Sequence, residues 1–200
     1  MYPILIIFAF GMSIAVERWL HLSRVRNQNR KLWVEVLPML NDSDFDGARE
    51  LVNEDKSTIA QMLSMGLARQ GAVRRREDIE IAMEEGMMEI LPQLERRTPY
   101  VGLFANIATL LGLLGTIMGL IAAFTAVAEA NPAEKADMLS ASISTAMNTT
   151  AFGLIVAIPL LLFHAKLTST TGQIVDSLEM ASVKALNVIS NTAVRRNKES

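Results

Sequence analysis

The chain contains no cysteine and only two histidines among its 200 residues. The first absence excludes disulfides and thiolate metal sites. The histidines, His21 and His164, lie far apart and each flanks an apolar run, so neither a metal centre nor a histidine-dependent catalytic pair is expected. No nucleophile–base pair, phosphate-cradling loop or metal-ligand spacing is visible either. The chain therefore reads as non-enzymatic, with no cofactor and no metal.

Charge is missing in a patterned way. No charged residue occurs from Thr98 to Ala128 or from Met138 to Phe163. Each run exceeds the roughly 20 residues that a helix needs to cross a ~30 Å hydrocarbon core. Met1–Val16 is a third uncharged run, which Trp19, Leu20 and Leu22 extend through the interface. It lacks a basic n-region and a small-residue cleavage site before Glu17-Arg18, so it reads as a span and not as a cleaved signal. Its shortness leaves open a start a few residues upstream. No strand pattern is present. The expected fold is all-α, a polytopic membrane protein with three transmembrane helices and an extended helical cytoplasmic region.

The expected organisation is span one at 1–22, a cytoplasmic helical region at 23–97, and span two at 98–128. A periplasmic link at 129–139 follows, then span three at 140–163 and a cytoplasmic helical tail at 164–200. Basic residues set the orientation. Arg18, Arg24, Arg26, Arg30 and Lys31 follow span one, Arg96 and Arg97 precede span two, and Lys166, Arg195, Arg196 and Lys198 follow span three. The link instead holds Glu129, Glu134 and Asp137 against Lys135. The N-terminus is expected outside and the C-terminus inside.

The polar parts have helical periods. Ile79, Ala82, Met83, Met87, Ile90, Leu91 and Leu94 form one apolar face, with Glu80, Glu84, Glu85 and Glu89 on the other side. Ser43 or Asp44 is placed to cap a helix over the following residues. Arg74-Arg75-Arg76 reads as a basic corner beside an acidic helix, and no nucleic-acid partner is expected. Leu167, Thr171, Ile174, Leu178, Ala181, Ala185 and Val188 step by fours and threes, a seam suited to a multi-helix bundle. It predicts one continuous helix from span three to about Ser190.

Span two contains LGLLGTIMGLIAAF, with Gly112, Gly115 and Gly119 on or near one face. Small residues in that arrangement let helix backbones approach closely in lipid. Thr116 is the polar residue among them. In span three, Thr145, Asn148 and Thr149 share a face, Thr150 lies at its edge, and Pro159 removes a backbone donor. An asparagine is costly against lipid, so Asn148 is expected to meet protein or water. Two uses of these polar side chains stay open: hydrogen-bonded helix–helix glue, or the lining of an ion path.

The stretches LLGLLGTIMGLIAAF and ISTAMNTTAFGLIVAIP, in that order, resemble the two paired motifs of the MotA/TolQ/ExbB proton channel family. VERWLHL after span one and LPQLERRTPYVGLFANIA into span two extend the resemblance over most of the chain. The span count favours the three-span ExbB/TolQ branch over the four-span MotA branch. The resemblance implies an inner-membrane stator subunit of the bacterial envelope, a homo-oligomer (a pentamer). Its pore holds a single-span ExbD/TolR/MotB-like partner that carries the titrating aspartate. It places the ion path at Thr116 and Thr150, and the shared polar face of span three adds Thr149, Thr145 and Asn148 to the expected lining. The ion is the proton or sodium. One departure stands out, because ExbB and TolQ carry a glutamate where this chain has Thr145. No acidic residue then remains inside spans two or three, which shifts the weight to the partner's carboxylate. The alternatives are a flagellar-type stator lacking its first span and a non-conducting membrane scaffold.

Overall fold

The computed structural model describes residues 2–70, 76–129 and 131–199, the side chains of 129 and 193–199 excepted. Arg74 and Arg75 of the basic corner lie outside the described residues, as do the side chains of Glu129, Arg195, Arg196 and Lys198. The described residues form six α-helices and no β-strand element: α1 (Tyr2–Asn41), α2 (Phe45–Glu54), α3 (Thr58–Arg69), α4 (Arg76–Glu95), α5 (Thr98–Glu129) and α6 (Lys135–Glu199). Three helices are long and apolar enough to cross a membrane. The chain is thus an all-helical protein with three candidate spans.

Two compact units divide it, one from Met1–Trp19 with Arg97–Thr168, the other from Leu20–Arg96 with Ser169–Ser200. The first unit holds the apolar runs. There Gly11 of α1 faces both other helices, since a Cβ on it would lie 3.0 Å from Leu160 and 3.3 Å from Phe104. Gly102 of α5 similarly faces the His164 ring of α6, which a Cβ there would meet at 3.2 Å. Arg97 donates from one guanidinium nitrogen to both Glu17 oxygens, at 2.9 and 3.0 Å, which ties the start of α5 to α1.

The second unit is a water-type bundle with a conventional core of Leu22, Leu32, Leu40, Leu63, Leu67 and Ile90, among others. Its short helices are defined by their caps. Asp44 accepts from the Gly47 N–H at 3.0 Å and starts α2, while the left-handed Ser43 (φ 60°) ends the preceding turn. Ser57 accepts from the Ala60 N–H at 3.3 Å and starts α3. Each satisfies an amide that the first turn of a helix leaves without a partner. Arg49 finishes α3 by donating to the Leu67 carbonyl at 2.9 Å. Methionines fill the α3–α4 contact, where Gly86 sits over the Met62 backbone and Gly66 over the Met83 side chain. The buried Asn29 on α1 accepts from the Ile59 N–H at 3.2 Å and bonds to the Thr58 hydroxyl, so a single amide serves the first turn of α3.

The structure differs from the sequence expectation in three places. Leu91 is exposed, because α4 buries Ile79, Met83, Ile90 and Leu94 and turns Leu91 well off that line. α6 begins at Lys135, inside the stretch read as a link, where Glu134 closes a turn on Asn131 at 3.0 Å. Val188 is half-buried, and Ile189 takes the next core position. The continuous helix is as expected: α6 runs 65 residues through Pro159 without a break. A proline there removes one backbone bond, which leaves the Ile155 carbonyl without its amide donor, and apolar helices tolerate this.

Candidate functional site

The contact between α5 and α6 in the first unit is built from small residues on both sides. A Cβ on Gly112 would lie 3.2 Å from the Gly153 Cα and 3.3 Å from the Thr150 Cα. Gly115 is closed by the Thr149 side chain, and a Cβ on Gly119 would lie 2.8 Å from the Ala146 Cβ. A Cβ on Gly153 would be 2.8 Å from the Ala108 carbonyl oxygen. The expected glycine row thus meets a second row, Ala146, Thr149 and Gly153, running antiparallel to it. With only small side chains between the backbones, dispersion contacts replace the hydrophobic drive that lipid does not supply.

Close approach brings two hydroxyls together. Thr116 donates back to the Gly112 carbonyl at 3.2 Å, and Thr150 donates across the contact to the same oxygen at 2.9 Å. The two threonine hydroxyls also touch each other. Both side chains are half-buried. Each hydroxyl is a donor and an acceptor, so the two, with the carbonyl, form a polar cluster on otherwise apolar helices. One proton per hydroxyl cannot make all three contacts at once. The cluster therefore has more than one hydrogen-bond arrangement.

The remaining residues singled out in the sequence do not join it. Thr145 is exposed and donates to the Ala141 carbonyl at 3.0 Å, and Asn148 is exposed beside it. Thr149 is half-buried, with its hydroxyl on the Thr145 carbonyl at 3.1 Å and its side chain against Gly115. Pro159 is half-buried on α6, one residue before the fully buried Leu160. Of the shared face, Thr145 and Asn148 are exposed while Thr149 packs on Gly115 without joining the hydroxyl cluster, and Thr150, placed at its edge, is the residue that meets Thr116. Sequence reasoning missed Gly153, Ala146 and Ala108, although Thr149, Gly153 and Ala157 repeat at every fourth position. It also missed Gly11. Among the described residues no group of three or more His, Cys, Asp or Glu side chains is placed to hold a metal ion.

Comparison with known proteins bears on the family. The sequence model of the MotA/TolQ/ExbB proton channel family matches residues 54–180, which include all of α3, α4 and α5 and most of α6. A Synechocystis protein named biopolymer transport protein ExbB-like 3 is 27% identical over 162 residues, 80% of this chain and 76% of its own length. A Methanothermobacter thermautotrophicus ExbB homologue is 27% identical over 184 residues; this chain spans only 63% of its length. The Tol-Pal system protein TolQ of Haemophilus influenzae is 33% identical over 87 residues, 44% of this chain and 38% of that protein.

Proposed function

The chain belongs to the MotA/TolQ/ExbB proton channel family, and from that membership we propose that it is an ion-conducting stator subunit of an ExbB/TolQ-like motor. Several copies surround the single span of an ExbD/TolR-like partner in the inner membrane, with the N-terminus outside and the C-terminus inside. Ions moving down the gradient between the copies and the partner drive motion of that partner. Each charge crossing the field supplies about 2.3 kcal/mol per 100 mV, so several ions are needed for one mechanical step.

The observation that carries the reading is the meeting of Thr116 and Thr150 on the Gly112 carbonyl. Hydroxyls with alternative bonding can relay a proton or replace part of an ion's hydration without holding a permanent charge. The carboxylate that binds and releases the proton belongs to the partner in this reading. Desolvation in the membrane raises the pKa of such a carboxyl, which suits it to carry protons.

The experiment is ion flux into vesicles containing this chain and its single-span partner. Thr150→Val is expected to stop the flux while leaving the complex assembled, since valine keeps the shape of threonine and loses only the hydroxyl. A specific observation favours the scaffold as a second reading: both hydroxyls already have partners within one chain. Undiminished flux in an assembled Thr150→Val complex would remove the cluster from the ion path.

A further inference from the structure

α1 buries one face in the second unit and leaves the other bare. Leu22, Val25, Asn29, Leu32 and Val36 are buried. The opposite face carries Leu20, Arg24, Asn27, Arg30, Lys31 and Val34, all exposed. Asn27, Arg30, Lys31, Val34 and Glu35 line a shallow cleft of about 370 Å³ on this face. From Arg18 to Val34 the sequence has no Asp or Glu.

We propose that this stripe binds the phosphodiester headgroups of anionic phospholipids in the leaflet from which α1 emerges. Leu20 fixes the register: it is 55% exposed and stands at the end of the apolar run, on the same face as the cations that follow. Arg24 is one turn beyond it. Arg30 and Lys31 lie about 12–14 Å past Leu22 along the helix at 1.5 Å per residue. The headgroup layer covers roughly the first 5–7 Å of that distance. Side chains on a helix lean toward its N-terminus, which for α1 is the membrane side. Long basic side chains on this face therefore reach back to the lipid phosphates while their stems stay on the helix.

Charge supplies the complementarity, because a cluster of Lys and Arg directly beyond a span attracts an anionic leaflet. Arg30 and Lys31 present their donors to one phosphate, Arg24 holds a headgroup closer to the acyl boundary, and Glu35 closes the far end of the cleft. Asn27, between them, offers an amide to the phosphate ester or to a headgroup hydroxyl. The occupant is a lipid of the same bilayer. The proposal rests on α1 crossing the membrane and is independent of ion conduction.

The test uses the full chain in nanodiscs of phosphatidylcholine with a minor fraction of phosphatidylglycerol, and spin-labelled lipids to report the composition of the protein's lipid shell. Phosphatidylglycerol is expected to be enriched over phosphatidylcholine. Arg30→Gln with Lys31→Gln should lower the enrichment at least about threefold. The control Arg96→Gln with Lys166→Gln removes as much charge near the membrane but off α1, and should change it little. Arg30→Lys with Lys31→Arg, which keeps both charges, should retain the enrichment and separates charge from folding. Unchanged enrichment in the Gln pair, or an equal loss in the control, would overturn the proposal. So would displacement of the lipid by millimolar inorganic phosphate, which would make the cleft a free-anion site. Separation of the copies with an unaltered lipid shell would overturn it as well, by giving the stripe to the acidic α4 face (Glu77, Glu84) of a second copy.

Discussion

Gly112 on α5 and Gly153 on α6 face each other so closely that a Cβ on Gly153 would stand 2.9 Å from the Gly112 Cα. No side-chain movement can relieve that contact, because the opposing atoms are backbone. The pair sets the helix separation that lets Thr150 reach the Gly112 carbonyl. Packing and the polar cluster therefore depend on the same two glycines.

Gly153→Ala is expected to destabilise the membrane unit by about 1–3 kcal/mol, the usual range for overpacking. Gly172→Ala is the matched control, since a Cβ there meets nothing within 4 Å. Removing a glycine from a helix interior at an open position should stabilise by up to about 1 kcal/mol. Thermal unfolding of the two variants in detergent should move in opposite directions. A shift of the same sign would show that α5–α6 approach does not limit stability.

In the second unit, Asn29→Leu should cost about 1–3 kcal/mol. The buried amide accepts from the Ile59 N–H, and leucine would leave that donor buried without a partner. The loss should be local as well as global. Amide exchange at Ile59 and Ala60 should accelerate before that of α4, and exchange that stays slow there would show the Asn29 bond to be dispensable.

These contacts separate what sequence can show from what it cannot. Uncharged runs and helical periods are properties of one segment, so three spans, an all-α fold and the glycine face of α5 are legible from residues alone. The opposing row on α6 is not, since it depends on which face approaches. A helical wheel drawn around Thr145, Asn148 and Thr149 puts Thr150 at the margin. Gly153 and Ala146 define the contact face that brings Thr150 to Thr116. Asn29 was hidden for the same reason. Surrounded by Arg26, Asn27, Arg30 and Lys31, it looks solvated until the first turn of α3 docks on it. Leu91 errs in the other direction, an apolar residue near a helical face that the bundle leaves uncovered.

Glu17 and Arg97 should contribute little to stability. Their side chains are 52% and 48% exposed, and ion pairs with that access to solvent are worth roughly 0–1 kcal/mol after screening. A double-mutant cycle with Glu17→Gln and Arg97→Gln should give a coupling energy within that range and falling with salt. A larger, salt-insensitive coupling would mean that the pair is shielded in the assembled protein.

Thr116 and Thr150 should be coupled to each other and not simply additive. Each hydroxyl contacts the Gly112 carbonyl, and each contacts the other. Thr150→Val removes a bond across the helix contact, where such bonds average about 0.6 kcal/mol. Thr116→Val removes a bond within its own helix and frees the shared carbonyl for Thr150 alone, so its cost should be smaller. Once Thr150 is valine, the Thr116 hydroxyl has no partner across the contact. The second substitution should then cost a different amount than it does alone. The readout is the interaction energy of the Val/Val cycle in detergent unfolding, since directly contacting groups commonly couple by about 0.5–3 kcal/mol. Thr150→Ser should keep most of the coupling because its hydroxyl remains. Strict additivity in the Val/Val cycle would show that the two threonines act independently, and the reading of Gly112, Thr116 and Thr150 as one polar cluster would fail.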